Sequence, residues 1–353
     1  MTQTARRAAI ATLVVVGIVV VALALWKLRA LIALLLLAFI IAAAMRPGVE
    51  ALYRRHIPRG VGVLLHYLAF AGLIALLLWF VVPRLSSQVT AAINAVPHSQ
   101  SQLNHEAKHS TGLRHEILVA IQKRLKRLPS GTSLIHPAIS ATKTAFEVLV
   151  GIFFTFASAA YWVFERDRAM RLVLSLVSRP KRRVVRETWN LIDARLGAFV
   201  RGELILVCFV GTLLSLAFWL IGEPYFLLIG IFAGIVELIP VIGPLAAGAL
   251  AVGIGFTASL GVAIGAGVAV LAVRMLEDYV VSPRLLGRAV GLSPLFVLVS
   301  VTATGLLLGG FYVLLAIPIA SLIATLTDVI VRGVDPGEEE RPAVLFSASD
   351  AER

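Results

Sequence analysis

One cysteine in 353 residues, Cys208, leaves the chain unable to close a disulfide within itself or to assemble a thiolate metal cluster. Charge is scarce as well. Asp, Glu, Lys and Arg together make up 15% of the sequence, against about a quarter in ordinary soluble domains. Acidic residues are the rarer sign, 20 against 32 Lys and Arg, for a formal charge of +12. No glycine-rich loop ending in Gly-Lys-Ser/Thr occurs, which argues against nucleotide hydrolysis by this chain. No cofactor and no enzymatic activity are expected.

What is abundant is apolar surface, 59% of all residues. It is gathered into runs long enough to cross a bilayer, so the fold class is all-α and the chain a polytopic integral membrane protein. The basic residues lie between the runs, where they set topology and attract anionic lipid; the high pI is a membrane signature and no nucleic-acid partner is expected. About six full spans follow: Ala8–Trp26, Ala30–Met45, Val61–Val82 ended by Pro83, Ala145–Phe164, Leu204–Gly222 and Ala258–Met275. Lys27 and Arg29 sit in a tight outer turn. Residues 46–60 carry Arg46, Arg54, Arg55 and Arg59 and form a cytoplasmic loop by the positive-inside rule.

Residues 84–143 form a polar segment outside the cytoplasm. Residues 165–201 hold ten Lys and Arg with Val184, Val185, Trp189, Ile192, Leu196 and Phe199 at roughly helical spacing. That pattern suits an amphipathic helix on the inner membrane surface, touching anionic lipid, and equally a helix packed against the bundle. Five regions result: 1–83 with three spans, the segment 84–143, 144–201 with the fourth span and the basic stretch, a transport core at 202–332, and a cytoplasmic tail at 333–353.

The stretch Glu237-Leu238-Ile239-Pro240-Val241-Ile242-Gly243-Pro244 organises that core. Between Tyr225 and Phe256 it carries the only ionisable side chain after Tyr225. An acid at helix centre costs about 2.5–3.5 kcal/mol on insertion scales, so it faces protein or a water-filled cavity. Pro240 and Pro244 cannot donate to a helical ladder, and backbone freed at membrane depth is tolerated only where protein or a cavity satisfies it. The run before Pro240 is about fifteen residues, short of the roughly twenty needed to cross. A re-entrant hairpin therefore competes with a tight turn near the membrane surface. The last apolar run, Leu295–Val331, contains Gly305, Gly309, Gly310 and Pro318 and is the second hairpin candidate.

Other motifs carry less. His105-Glu106-Ala107-Lys108-His109 with Gly112 and His115 matches the spacing of a zinc metalloprotease signature. Polar flanks, the absence of a following methionine and the small size of the segment make solvated side chains the default reading. Glu203 joins Glu237 in a relay or caps its own helix against Arg201. Glu277 and Asp278 form a cation site or pair with Arg274, Arg284 and Arg288, the latter being favoured since buried charges are normally paired.

The chain resembles the autoinducer-2 exporter family of transporters over roughly residues 150–330. The resemblance rests on Phe199-Val200-Arg201-Gly202, the 237–244 stretch, Ser282-Pro283-Arg284-Leu285-Leu286-Gly287 with Gly291-Leu292-Ser293-Pro294, Leu308-Gly309-Gly310 and Ala316-Ile317-Pro318. Glu203 stands where the family leads one to expect Gln, and Asp278 where it leads one to expect Asn. Both add negative charge and leave room for a cation or proton. The resemblance implies a multispanning permease in a bacterial-type cytoplasmic membrane, exporting a small polar solute such as a quorum-sensing molecule. Sodium/proton antiport is the alternative and a scaffold recruiting partners through 165–201 the third. Glu237 is the expected coupling residue and a homo-oligomer is expected.

Overall fold

The computed structural model describes residues 2–95, 135–240, 242–285 and 292–339, with Pro342 and Val344. Ten helices longer than one turn account for most of them: α1 (Thr2–Lys27), α2 (Arg29–Arg54), α3 (Arg59–Ala95), α4 (Ile135–Leu176), α5 (Arg182–Ile221), α6 (Phe226–Val236), α7 (Ile242–Ala258), α8 (Leu260–Leu276), α9 (Pro294–Leu308) and α10 (Ala316–Ile330). No strand occurs among the described residues. Large apolar side chains such as Trp79, Phe153 and Leu306 point outward, 79%, 74% and 83% exposed, an arrangement only a hydrocarbon solvent tolerates on this scale. Five helical stretches are long and apolar enough to cross a membrane: Ile10–Lys27, Arg29–Arg54, Phe146–Leu176, Arg179–Ile221 and Leu260–Leu285. They overlap five of the six expected spans. The sixth, Val61–Val82, lies inside α3. The protein is an all-α integral membrane protein.

The helices differ from the expected runs in three places, each for a physical reason. Pro47 and Pro83 end neither α2 nor α3, which run through them to Arg54 and Ala95. A proline inside a helix strips the carbonyl four residues earlier of its donor, so other groups must deal with the freed backbone. At Pro47 that carbonyl, Ala43, faces Gly197 of α5, where a Cβ would lie 2.8 Å from the Ala43 carbonyl carbon. The next carbonyl, Ala44, accepts from Arg201 Nη1 at 2.9 Å. Most of the expected loop at 46–60 is therefore helix, and the reversal shrinks to residues 55–58.

Lys27 and Arg29 flank a turn that is a single residue long. Leu28 alone separates α1 from α2, and the Arg29 guanidinium lies over the Trp26 ring at 4.4 Å. Finally, 165–201 is not an independent surface helix. It is the end of α4, a turn of 3-10 helix at Arg179–Lys181, and the first half of α5, which continues unbroken into the expected fifth span. Leu191, Leu196 and Ala198 in it are buried, so the packed-helix reading prevails.

The chain divides into two compact units. The first comprises Met1–Val63, Gly151–Arg201 and Leu286–Arg353. Its core joins Ala33 and Ile40 of α2 to Leu196 of α5 and to Leu315. Trp162 of α4 stacks on Trp189 of α5, centroids 6.2 Å apart and planes 4° apart. Asp193 is buried and held by Arg166 at 2.8 Å and Arg46 at 3.3 Å. The chain after α10 folds onto the first half of α5, where Arg183 pairs with Asp335, Arg195 with Glu339 at 3.0 Å, and Arg201 Nε donates to the Val344 carbonyl at 2.8 Å. α9 and α10 pack together. Between them the backbone breaks at Gly309 (φ 105°) and makes one turn at Gly310–Val313, and Pro318 is the third residue of α10.

The second unit comprises Leu64–Val150 and Gly202–Leu285. Val210, Leu214 and Phe218 of α5 pack with Ile229 and Ala233 of α6, Ala247 and Ala251 of α7, and Ala266 and Val273 of α8. Small residues set the helix spacing. A Cβ on Gly234 of α6 would lie 2.7 Å from the Val207 carbonyl oxygen and 2.9 Å from the Gly211 Cα, both on α5, so glycine there lets the two backbones touch. α6 and α7 form a helical hairpin. With eleven residues α6 is about 16 Å long, roughly half the hydrocarbon thickness.

Candidate functional site

The turn between α6 and α7 presents Glu237 to the rest of its unit. α6 stops at Val236, yet Glu237 keeps helical backbone (φ −56°, ψ −29°) and its N–H donates to the Ala233 carbonyl at 3.1 Å. The next two amides turn tighter. Leu238 donates to Ile235 at 3.4 Å and Ile239 to Val236 at 2.9 Å, which serves the carbonyls a helix end would leave open. Pro240 brings no N–H and disfavours helical backbone at Ile239, so the helix cannot resume there. The Gly243 N–H then closes the turn onto the Ile239 carbonyl at 2.8 Å. Its α-carbon packs on α6 so closely that a Cβ would sit 2.6 Å from the Val236 carbonyl carbon. Pro244 occupies the third position of α7, within the first turn, where a missing N–H costs nothing.

Glu237 is buried, 7% exposed, in a cluster of charge. Arg274, in the last turn of α8, donates through Nη1 to Glu237 at 3.1 Å and lies 3.2 Å from Glu277. It also grips Asp278 with two nitrogens, Nε at 3.0 Å and Nη2 at 2.9 Å. Beyond Arg274 the helix widens into a π turn, Glu277–Val281, a local form that recurs at functional sites. Glu277 is as buried as Glu237, and both carboxyls approach the same nitrogen, Nη1 of Arg274. Glu203, near the middle of α5, lies within electrostatic reach of both. Three carboxyls, two of them buried, thus share one guanidinium, and the excess negative charge must be met by protons or by a cation.

The structure brings Glu203, Glu237 and Asp278 into one unit, with Pro240, Gly243 and Pro244 shaping the turn that carries Glu237. Gly309, Gly310 and Pro318 belong to the other unit. The His105, His109 and His115 motif lies outside the described residues, as do Arg288 and the Leu286–Gly291 part of the family-like series. Arg284 touches only the Val280 carbonyl, at 3.5 Å, among the contacts described for it. Among the described residues no three His, Cys, Asp or Glu side chains are placed to hold a metal ion.

Two residues escaped the sequence reading. Arg274 was expected to pair with Glu277 and Asp278, and does, but its bond to Glu237 spans 37 positions and no local pattern announces it. Glu223 was read only as part of a short turn. It is 3% exposed, with both carboxylate oxygens buried and unpartnered, and it sits against Gly255 in α7, whose Cβ would come 3.0 Å from its Oε2. Positive φ at Gly222 (79°) and at Tyr225 (59°) turns it inward. Burial pushes its carboxyl up to about 7.

Helices of this length, a broken-helix turn and a buried acidic cluster are the parts from which transporters build substrate sites. The family described as AI-2E family transporter matches over residues 13–332. The chain belongs to that family. Among curated relatives, "Putative transport protein YueF" of Bacillus subtilis is 28% identical over 309 residues, 84% of each chain. YrrI of the same organism is 26% identical over 82% of this chain and 83% of its own, and MT0215 of Mycobacterium tuberculosis 25% over 87% and 85%; both carry the same designation. Family membership makes the chain a membrane transport protein, and the match reaches well beyond the region from which the resemblance was read.

Proposed function

We propose that the protein is a secondary transporter of the cytoplasmic membrane that exchanges protons for a cation at the Glu203, Glu237, Glu277 and Asp278 cluster. One observation carries the reading: a buried carboxyl pair, Glu237 and Glu277, shares a single guanidinium that also holds Asp278. Arg274 occupies the place a cargo cation would take. Its side chain is about one-third exposed, so it is free to swing outward when a cation enters, and a proton neutralises the pair when the cation leaves. Alternating occupancy by protons and by cargo is the minimum an antiporter requires, and a carboxylate pair too close to ionise together supplies it. The α6–α7 turn gives the site its path, because the helical ladder ends just past Glu237, where Pro240 brings no N–H.

Export of a small polar solute, the reading suggested by the family description, has one supporting feature. The α6–α7 turn beside the cluster joins a half-length helix to a proline-broken backbone, the form in which transporters hold polar substrates. In proteoliposomes with an imposed pH gradient, the antiport reading expects sodium or potassium to collapse the gradient with the native chain and not with Glu237→Gln. A gradient insensitive to every monovalent cation in the native protein would sink antiport and leave solute export as the reading to pursue.

A further inference from the structure

A groove of about 950 Å³ opens in the first unit between α2, α4, α5 and α10. Its walls are apolar, with Leu35, Phe39, Trp162, Leu326 and Ile330 among them. The polar exceptions point one way. Lys181 is the only charged residue in the lining, and no Asp or Glu faces it there. Trp189, also in the lining, has its Nε1–H buried without an acceptor. A positive charge and an unused donor over an apolar trough complement a molecule with an anionic head, a hydrogen-bond acceptor just below it and a hydrocarbon body. Lys181 closes the 3-10 turn Arg179–Lys181, where Arg179 is exposed as well; Arg183, also exposed, pairs with Asp335.

We propose that this groove is a specific site for one anionic phospholipid of the surrounding bilayer, its phosphate on Lys181, its ester carbonyl on Trp189 Nε1 and an acyl chain along the Trp162–Trp189 stack. The bilayer is the source because the groove belongs to helices whose outer surfaces are apolar. A chain moving from bilayer to groove passes from one hydrocarbon setting to another and gains little by burial. Discrimination among lipids therefore rests on the headgroup contacts. One Lys facing an anionic headgroup is worth about a fivefold preference.

The test uses the full-length chain in nanodiscs. A variant keeps Trp189 as the only tryptophan, with Trp26, Trp79, Trp162 and Trp219 replaced by Phe, and its fluorescence is titrated with brominated phosphatidylglycerol or brominated phosphatidylcholine. The anionic lipid is expected to quench at about one-fifth the mole fraction of the zwitterionic one, and Lys181→Gln to abolish that difference. A companion variant keeping only Trp79, on the outward surface of α3, is expected to show no headgroup preference. Equal quenching of Trp189 by both lipids, absence of quenching, or a preference that survives Lys181→Gln would each overturn the site. Should the four replacements impair folding, native mass spectrometry of the unaltered chain and of Lys181→Gln decides. An anionic-lipid adduct retained only by the unaltered chain supports the site, and equal retention refutes it.

Discussion

Replacing Arg274 by Met removes the one cation that, among the described residues, touches Glu237, Glu277 and Asp278, at 3.1, 3.2 and 2.9 Å. Methionine keeps much of the length and apolar volume of the side chain, so the loss is chiefly of charge and hydrogen bonds. Removing one partner of a buried ion pair costs about 3–5 kcal/mol, because the other partner is left uncompensated. Two of the three carboxyls here are buried while Arg274 is about one-third exposed. The lower end, about 3 kcal/mol, is therefore the expectation. Part of that cost should vanish when one stranded carboxylate is neutralised as well. Arg274→Met combined with Glu237→Gln is expected to be less destabilised than the sum of the single changes by about 0.5–3 kcal/mol, the range for residues in direct contact. Unfolding in mixed micelles, followed by intrinsic fluorescence for the native chain, both single variants and the double variant, gives the four free energies needed. Strict additivity, or an Arg274→Met variant as stable as the native chain, would refute the pairing.

Gly243→Ala places a methyl group 2.6 Å from the Val236 carbonyl carbon, which forces the turn apart at a cost of about 1–3 kcal/mol. Flux and stability in that variant should both fall below those of Gly253→Ala, where no atom lies within 4 Å of the added carbon. Equal behaviour of the two would show that the turn is not tight. For Glu223, burial lifts the carboxyl from 4.5 to about 7 in the fold. Below about pH 4.5 both folded and unfolded states hold the proton and the group is neutral to stability; between about 4.5 and 7 the fold retains a proton the unfolded chain releases, so stability falls as pH rises, by about 3 kcal/mol in all. Melting curves in detergent at pH 5 and pH 8 should show that fall in the native chain and a smaller one in Glu223→Gln. The same difference in both would contradict the burial argument.

The α6–α7 turn was legible because its signal is local: an acid, two prolines and a glycine within eight residues of an otherwise apolar run. The expected spans were legible for the same reason, since length and hydropathy need no partner. What resisted reading depends on neighbours. Pro47 looks like the end of a helix until Gly197 and Arg201, some 150 positions away, are found beside the carbonyls it disturbs. Residues 165–201 left a surface helix and a packed helix equally open, because ten Lys and Arg share the stretch with an apolar stripe. Arg166, Arg195 and Arg201 in fact turn inward to Asp193, Thr325 and the Val344 carbonyl. Glu223 shows the same limit at the scale of one side chain, for no local pattern distinguishes an exposed turn carboxylate from one folded in against α7. In the acidic cluster the carboxyls and the pairing of Arg274 with Glu277 and Asp278 were legible, and the reach of Arg274 to Glu237, 37 positions away, was not.

Whether cation binding displaces protons from the cluster is read most directly by isothermal titration of sodium or potassium into the detergent-solubilised protein, in two buffers of different ionisation enthalpy. Exchange at Glu237 and Glu277 predicts a heat that differs between the buffers in the native chain, because entry of the cation expels protons. In Glu237→Gln that difference should disappear. Binding with the same heat in both buffers, or a buffer dependence that persists unchanged in Glu237→Gln, would contradict proton-for-cation exchange at this site.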